Sequence, residues 1–372
     1  MNIGIDARLL ERKITGIGRY LILLLNNLPD FDSKNRYFLF TYEPLDYNRN
    51  FFTNIPTVKS FLPQKLFSPI WNNFVLPFFL KKNKMDIFFS VNQIIPLVKV
   101  KNCKYVSVVH DVIYKADKSF LPLIYRRYLQ LFAHFSVKSS DLIVTVSNYS
   151  KLDILKNYKI DESKIKVIYS ATNKEFFPMN LSDQEKADVK KSLGLKGNLV
   201  LYVGMIENRK NIPGFLKIAD EIFNRNKDVQ FVLVGKIGYG GENLLEEILE
   251  RKNVVYLQGI DDKTLKKLYN ISSVFLFPSF YEGFGFPPLE AMQCGLPVLS
   301  SDNTSLKEIV GEGGMLLSPD NYKGFSDYII KVITDKNFAD DMIKKGFEQA
   351  KKFSIEKTTK EFVEIFNSFN KL

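Results

Sequence analysis

Cysteine and histidine are scarce in this 372-residue chain, two of each. Cys103 and Cys294 lie far apart with no C-x-x-C pair, which excludes a disulfide scaffold and a cysteine zinc site, so a reducing compartment, the cytosol, is the expectation. Long apolar runs are missing too. The most apolar stretch, 70–80, is too short to cross a bilayer and is broken by Asn72, Asn73 and Pro77. The start, MNIGIDARLL, holds the acidic Asp6 and no long apolar run behind a basic segment, so it reads as a first strand rather than a signal peptide. There is no H-E-x-x-H, P-loop or cysteine cluster, and Asp261-Asp262 reads as a helix start rather than a spaced D-x-D. No metal requirement is expected, and no short-period repeat or low-complexity segment is visible.

What is present points to a two-domain globular protein. The length exceeds what one core usually supports, and a hydrophobic share of 45% is ample for two. Residues 1–180 hold 26 Lys and Arg against 14 Asp and Glu, whereas 181–372 hold 26 against 27, so the first half carries the net charge of +11. Such basicity serves nucleic acid, an anionic membrane or a phosphorylated substrate, and charge alone does not choose among them. A generally solvated basic surface explains it equally.

The apolar pattern alternates between strands and helices. Strands are expected at 2–7, 37–42, 104–110 and 141–146, with a helix over 18–28. The second half restarts the rhythm, with strands at 198–203, 229–234, 254–257, 274–278 and 297–300 and helices at 213–224, 244–251 and 262–271. This alternation predicts an α/β fold with parallel sheets covered on both faces. The polar, proline-containing stretch TNKEFFPMNLSD at 172–183 predicts a boundary, with domains at 1–176 and 177–354. Open parallel sheets bind ligands beyond the carboxyl ends of their strands, so a site is expected where such loops meet.

Four constellations carry candidate chemistry. FYEGFGFPPLEAMQCGLP at 280–297 sets Glu282 and Glu290 around a turn in which Gly283, Phe284 and Gly285 lead into a helix opened by Pro287 and Pro288. Exposed carboxylates there accept hydrogen bonds from vicinal hydroxyls, one suited to a ribose and the other to a sugar. VGMIENRKN at 203–211 follows a strand and precedes a helix, so Gly204, Arg209 and Lys210 form a candidate diphosphate cradle. His110 ends an apolar strand just before Asp111, where a side chain faces a ligand, whereas His134 reads as a packing or interface residue. Thr15-Gly16-Ile17-Gly18 precedes a helix, and Gly16 and Gly18 can bring backbone N–H groups to a phosphate or sugar. Leu21 takes the place of the third glycine in G-x-G-x-x-G, which argues against a nicotinamide or flavin site.

The spelling E-G-F-G-F-P-P-L-E-A-M-x-C-G-L-P-V resembles the E-x7-E motif of glycosyltransferase family 4, the large retaining family with the GT-B fold that includes many mannosyl- and glucosyltransferases. IDAR, GIGRY, HD, VTVSNYS, VGMIENRKN and FSIEKT extend the likeness over most of the chain. The resemblance implies two Rossmann-like domains facing across a cleft, with the last helix, within 355–372, crossing back onto the first. It also implies transfer of a hexose of the mannose or glucose type from a GDP- or UDP-linked sugar to a glycan or polyprenyl-linked hydroxyl, with retention and in surface polysaccharide or O-antigen synthesis. The nucleotide sugar is a substrate, so no cofactor is implied. By the same resemblance His110 and Glu282 serve catalysis, and Gly16, Gly18, Gly204, Arg209, Lys210, Gly283, Phe284, Gly285 and Glu290 serve the donor. Many relatives have Arg directly after the V-G, where this chain has Met205.

Two segments, 63–84 and 119–138, read as amphipathic and basic. Either they rest on an anionic leaflet, making the enzyme peripheral to the inner face of the cytoplasmic membrane, or their apolar faces are ordinary core. A nucleic-acid-binding protein would account for the basic half but leaves the motifs without a purpose, and no nucleic-acid partner is expected. A non-catalytic sugar-nucleotide-binding protein has no need of His110 and Glu282, and an epimerase or phosphorylase on the same fold fits the E-G-F-G spelling less well.

Overall fold

The computed structural model describes residues 1–11, 16–48, 50–58 and 64–371, without the side chains of 64–66 and 371. The chain forms two compact units. The first comprises Met1–Lys115, Ile124–Ala171 and Ile355–Leu372, and the second Ala116–Leu123 and Thr172–Ser354. The division expected at 176 thus falls after Ala171, and a short segment near 120 counts with the second unit.

The first unit is built on β1 (Asn2–Asp6), β2 (Arg36–Thr41), β3 (Phe52–Pro56), β4 (Ile87–Ser90), β5 (Lys104–Val109), β6 (Leu142–Thr145) and β7 (Ile165–Val167). Their order is β3-β2-β1-β4-β5-β6-β7, and every pairing is parallel. Central strands such as β4 (IFFS) are buried along their whole length, as a sheet covered on both faces requires. The helix Gly16–Phe31 covers one part of the sheet together with Ile355–Ser368, the last long helix. Phe362 and Phe366 of that helix lie at 5.3 and 5.5 Å from the Phe89 ring of β4, and Phe366 also meets Tyr37. The final helix therefore completes the first unit's core, although 183 residues of the second unit precede it.

The second unit holds β8 (Asn198–Val203), β9 (Val229–Val234), β10 (Val254–Leu257), β11 (Val274–Phe277), β12 (Val298–Ser301) and β13 (Met315–Leu317). The order is β10-β9-β8-β11-β12-β13, again parallel throughout. Both sheets reverse direction of winding once, between β1 and β4 and between β8 and β11, which is the doubly wound Rossmann arrangement and marks where ligands bind. Helix starts are set locally. Ser182 and Glu185 form a reciprocal capping box for Asp183–Ser192, and Asp261 caps Asp262–Ile271 through the Thr264 N–H.

Strands β3, β4, β7 and β13 have no counterpart in the sequence reading. β7 and β13 have three residues each, too few for periodicity to register, β3 (FTNIP) is polar at its centre, and β4 (IFFS), as long as strands that were read, follows closely on another apolar stretch. Truncating Phe362 to Ala should remove aromatic packing from the first unit and cost about 3–5 kcal/mol. Urea denaturation of the full chain checks this, and an unchanged midpoint would show that the helix contributes nothing to that core.

Candidate active site

In the second unit the candidate residues gather where the winding reverses. β8 and β11 are neighbours, Val274 pairing with Val200, so the loops after them emerge side by side. The loop after β8 closes into a turn at Asn208–Lys210 and enters the helix Ile212–Arg225 through Asn211. Asn211 adopts the left-handed conformation, φ 54°, and its side chain accepts the Gly214 N–H at 3.1 Å. A short polar side chain tolerates both demands.

Arg209 and Lys210 lie on that turn and meet Glu282 from the loop after β11. Lys210 Nζ donates to Glu282 Oε1, and Arg209 Nη1 donates to Glu282 Oε2 and to the Tyr281 carbonyl, both at 3.0 Å. Glu207 adds a second carboxylate at 2.7 Å from Arg209 Nε. Ser279 Oγ donates to Glu282 Oε1 at 2.7 Å, and the Phe280 N–H donates to the Arg209 carbonyl at 2.8 Å, tying the two loops together. Glu282 and Lys210 are only 7% and 6% exposed. Burial would raise the Glu282 carboxyl, but Lys210 and Arg209 outweigh it and hold it below the usual carboxylate range. Burial and the neighbouring Arg209 push the Lys210 ammonium down against the pull of Glu282.

This geometry corrects the expectation of exposed carboxylates. Glu282 is a buried counter-ion, and Lys210 is a buried cation 4.9 Å from the Phe277 ring. Glu290 is equally buried at 7% exposure, lies in the second turn of the helix Phe286–Gln293 rather than at its tip, and accepts the Tyr269 hydroxyl at 2.8 Å. The turn between them is folded by packing. Gly285 has φ 125°, where an added Cβ would be strained and would meet Leu306 at 3.0 Å. The Phe284 ring is buried against Phe286 and Phe353. Gly283 is buried between the carboxylate and that ring, and Ser305 Oγ lies 2.9 and 2.7 Å from the carbonyls of Glu282 and Phe284. The Gly204 N–H donates to the Val234 carbonyl at 2.9 Å, so it is used within the sheet's extension.

The other candidates belong to the first unit. His110 follows β5, and its Nε2 lies 3.0 Å from the Val91 carbonyl. A carbonyl only accepts, so Nε2 carries the proton and Nδ1 is left as an acceptor. Tyr20 sits edge-on to the ring at 5.0 Å. Burial pushes the imidazole down to about 4, the Val91 bond opposing it, so His110 is neutral at pH 7. Gly16 opens the helix Gly16–Phe31 and Gly18 is buried in its first turn, so the pair lies inside the helix rather than before it, while Thr15 lies outside the described residues. Asp6 and Arg8 of the IDAR stretch, unassigned from sequence, form a buried bidentate ion pair at 2.8 and 2.7 Å. Glu207, Ser279 and Tyr269 were also missed. Glu207 stood inside the VGMIENRKN stretch and was the readable one. Among the described residues no group of three or more His, Cys, Asp or Glu is arranged to hold a metal ion.

Residues 14–176 match the family described as Glycosyltransferase Family 4, and residues 183–349 match that described as Glycosyl transferases group 1. The chain is 32% identical over 267 residues to O-antigen chain mannosyltransferase B of Escherichia coli, covering 70% of this chain and 69% of the relative. It belongs to this glycosyltransferase family. Among solved structures, sucrose-phosphate synthase of Thermosynechococcus elongatus superposes with a TM-score of 0.78 at 20% identity, covering 99% of this chain and 98% of that one. Anabaena HepE in complex with UDP-glucose gives 0.73 at 16%, covering 99% of each. These likenesses show the fold, the two Rossmann-like units of GT-B glycosyltransferases. The glycosyltransferase thus carries a cluster of four charged side chains, Glu207, Arg209, Lys210 and Glu282, at the winding reversal of its second unit.

Glu282→Ala should leave Lys210 buried without its counter-ion and destabilise the enzyme by about 3–5 kcal/mol. Pairing it with Lys210→Met should recover most of the loss in chemical denaturation, and failure to recover would show that the ion pair is not the cause. For His110 the folded protein favours the neutral ring, so its contribution to stability is complete above about pH 6.5 and falls as the pH drops toward about 4. His110→Gln should therefore flatten the stability profile over that window, as read from urea midpoints at successive pH values.

Proposed function

We propose that the glycosyltransferase moves a hexose of the mannose type from a GDP- or UDP-linked donor to a hydroxyl of a glycan or polyprenyl-linked acceptor, with retention of anomeric configuration. The observation that carries the reading is the Arg209–Lys210–Glu282 cluster at the winding reversal, where an α/β sheet holds its ligand. The name of the Escherichia coli relative, an O-antigen chain mannosyltransferase, supports the sugar and the setting in O-antigen or related surface polysaccharide synthesis. The UDP-glucose bound in the HepE structure supports a nucleotide sugar as donor and leaves uridine beside guanosine as the base.

In this reading Arg209, a fifth exposed at its side chain, meets the diphosphate, and Lys210 fixes the charge behind it. Glu282 holds both cations in place and Glu290, oriented by Tyr269, receives the ribose hydroxyls. Gly204, Gly283 and Gly285 shape the backbone beside the donor, Phe284 fixes the turn from behind, and the helix opened by Gly16 and Gly18 supplies N–H groups. His110 accepts a hydroxyl of the transferred sugar at Nδ1. The bond from the anomeric carbon to the diphosphate oxygen breaks, the acceptor oxygen bonds to that carbon on the same face, and its proton passes to the departing phosphate. The protein's part is to stabilise the leaving charge and to orient both sugars. No metal ion and no further cofactor enters this reading, in which Arg209 and the N–H groups at the start of the helix Ile212–Arg225 meet the diphosphate.

Arg209→Ala should weaken donor use about ten- to a hundredfold, corresponding to roughly 1.5–3 kcal/mol for one charge-assisted bond. Mass spectrometry of products from guanosine- and uridine-diphosphate hexoses, with and without EDTA, tests donor and metal together. Unchanged donor kinetics in Arg209→Ala would remove the cradle, and metal-reversible loss of product with EDTA would overturn the metal-free reading.

A further inference from the structure

Beyond the carboxyl ends of β8 and β9 the two chain segments run on together. The Ile206 N–H donates to the Lys236 carbonyl and the Gly238 N–H to the Ile206 carbonyl, both at 2.9 Å, and Ile206 pairs with Ile237 as a parallel bridge. The loop after β9, GKIGYGG at 235–241, is therefore laid backbone against backbone on the loop that carries Arg209. Its four glycines permit this approach. A Cβ at Gly235 or Gly241 would overlap the Gly204 or Ile206 carbonyl oxygen, and Gly240, at φ 76°, takes a conformation that other residues adopt only with strain. A Cβ at Gly238 would lie 2.9 Å from Met205 Cε and 3.2 Å from Glu207 Oε2, and one at Gly240 would meet the Asn208 side chain. Tyr239 stands between these two glycines and is 44% exposed. Its backbone neighbours thus rest on Glu207 and Asn208, the two residues before Arg209, and Glu207 in turn meets Arg209 Nε. Met205, 46% exposed, lies against Gly238 beside it.

We infer that Tyr239 is a stacking platform for the nucleobase of the donor, with Met205 as its flank; the inference rests on the proposed use of Arg209 for the diphosphate. A single exposed tyrosine is ordinary on a protein surface. This one is set apart by its frame, since four glycines in seven residues hold its loop down on the residues that position Arg209. A nucleoside diphosphate is a doubly charged group joined through a ribose to a flat ring with two π faces. The second unit offers the matching parts on adjoining loops, a cation cluster at the turn Asn208–Lys210 and an exposed aromatic ring beside it. Both loops follow the carboxyl ends of parallel strands, where such a sheet holds its ligand. A tyrosine has only two side-chain torsions to order, so a base that covers it loses little of the gain to side-chain entropy. The thioether of Met205 adapts to the edge of whichever base lies there. Stacking does not require a particular base, so the platform serves guanine and uracil alike.

Calorimetric titration of the full chain with guanosine diphosphate, uridine diphosphate and inorganic pyrophosphate tests the inference. Tyr239→Ala should weaken whichever nucleotide the wild type binds by about tenfold. Its affinity for pyrophosphate and its urea midpoint should stay at the wild-type values, because the ring is not core. Tyr239→Phe, which keeps the ring, should retain the nucleotide affinity. In Tyr239→Trp the indole fluorescence should change on addition of the nucleotide and not of pyrophosphate, the one native tryptophan, Trp71, being buried in the first unit. Arg209→Ala should weaken nucleotide and pyrophosphate together. Unchanged nucleotide affinity in Tyr239→Ala, an equal loss for pyrophosphate, or a Tyr239→Phe variant as weak as Tyr239→Ala would each overturn the platform while leaving the diphosphate cradle standing. A wild type that binds none of the three ligands would overturn the cradle and the platform with it.

Discussion

The carboxylate of Glu282 is the constraint on which the second unit's site depends. Two cations on the loop after β8 are withdrawn from water, and an ammonium as buried as Lys210 carries a desolvation cost of several kcal/mol unless an anion meets it. That anion comes from the neighbouring loop, so the two loops cannot take up their conformations independently. Ser279, Ser305, Asn211 and the Phe280 N–H then fix details of a geometry that the ion cluster has already imposed. A site built this way is rigid before any ligand arrives, which is the condition for electrostatic stabilisation without reorganisation.

The first unit meets the same problem at its own winding reversal. Arg8 forks onto Asp6, donates to Tyr42 and Asn72, and stacks 3.8 Å above Trp71. Burial works against the guanidinium, but Asp6 and Tyr42 more than restore it, so the pair stays ionised. Asn92, after β4, donates to the same aspartate, and the Val91 carbonyl beside it accepts a hydrogen bond from His110 Nε2–H. Because Trp71 and Asn72 belong to a π turn, Trp71–Val75, between the helices Gln64–Ile70 and Leu76–Lys82, this buried ion pair also anchors a helical stretch whose opposite face presents Phe74 and Phe78. Interior charge and exterior apolar surface are two sides of one element.

Much of the fold was legible. Val229–Val234, Val254–Leu257 and Asn198–Val203 were bounded correctly because each is an apolar run closed by turn residues. Asp262–Ile271 was bounded by its aspartate cap. Strands β3, β4, β7 and β13 were not legible, nor was the burial of Glu282 and Glu290. A carboxylate next to glycines looks like a surface ligand in one dimension, since nothing within a few residues of Glu282 reveals that Lys210, 72 positions earlier, will lie against it. For the stretch 63–84 the sequence left a leaflet-facing surface and ordinary core both open, and among its described residues Phe67, Trp71, Leu76 and Leu80 are core while Phe74 and Phe78 are exposed.

Sequence alone determined the composition of each loop, the alternation of strand and helix, and hence two doubly wound parallel sheets, because periodicity and turn chemistry are local properties of the chain. Only the tertiary structure decided which charges would be partners and which apolar side chains would stay outside. Parallel strands are joined by crossovers, so residues that touch at their carboxyl ends are remote in sequence. Whether a lysine is a mobile point charge or a buried counter-ion depends on that distant partner and on the water it excludes.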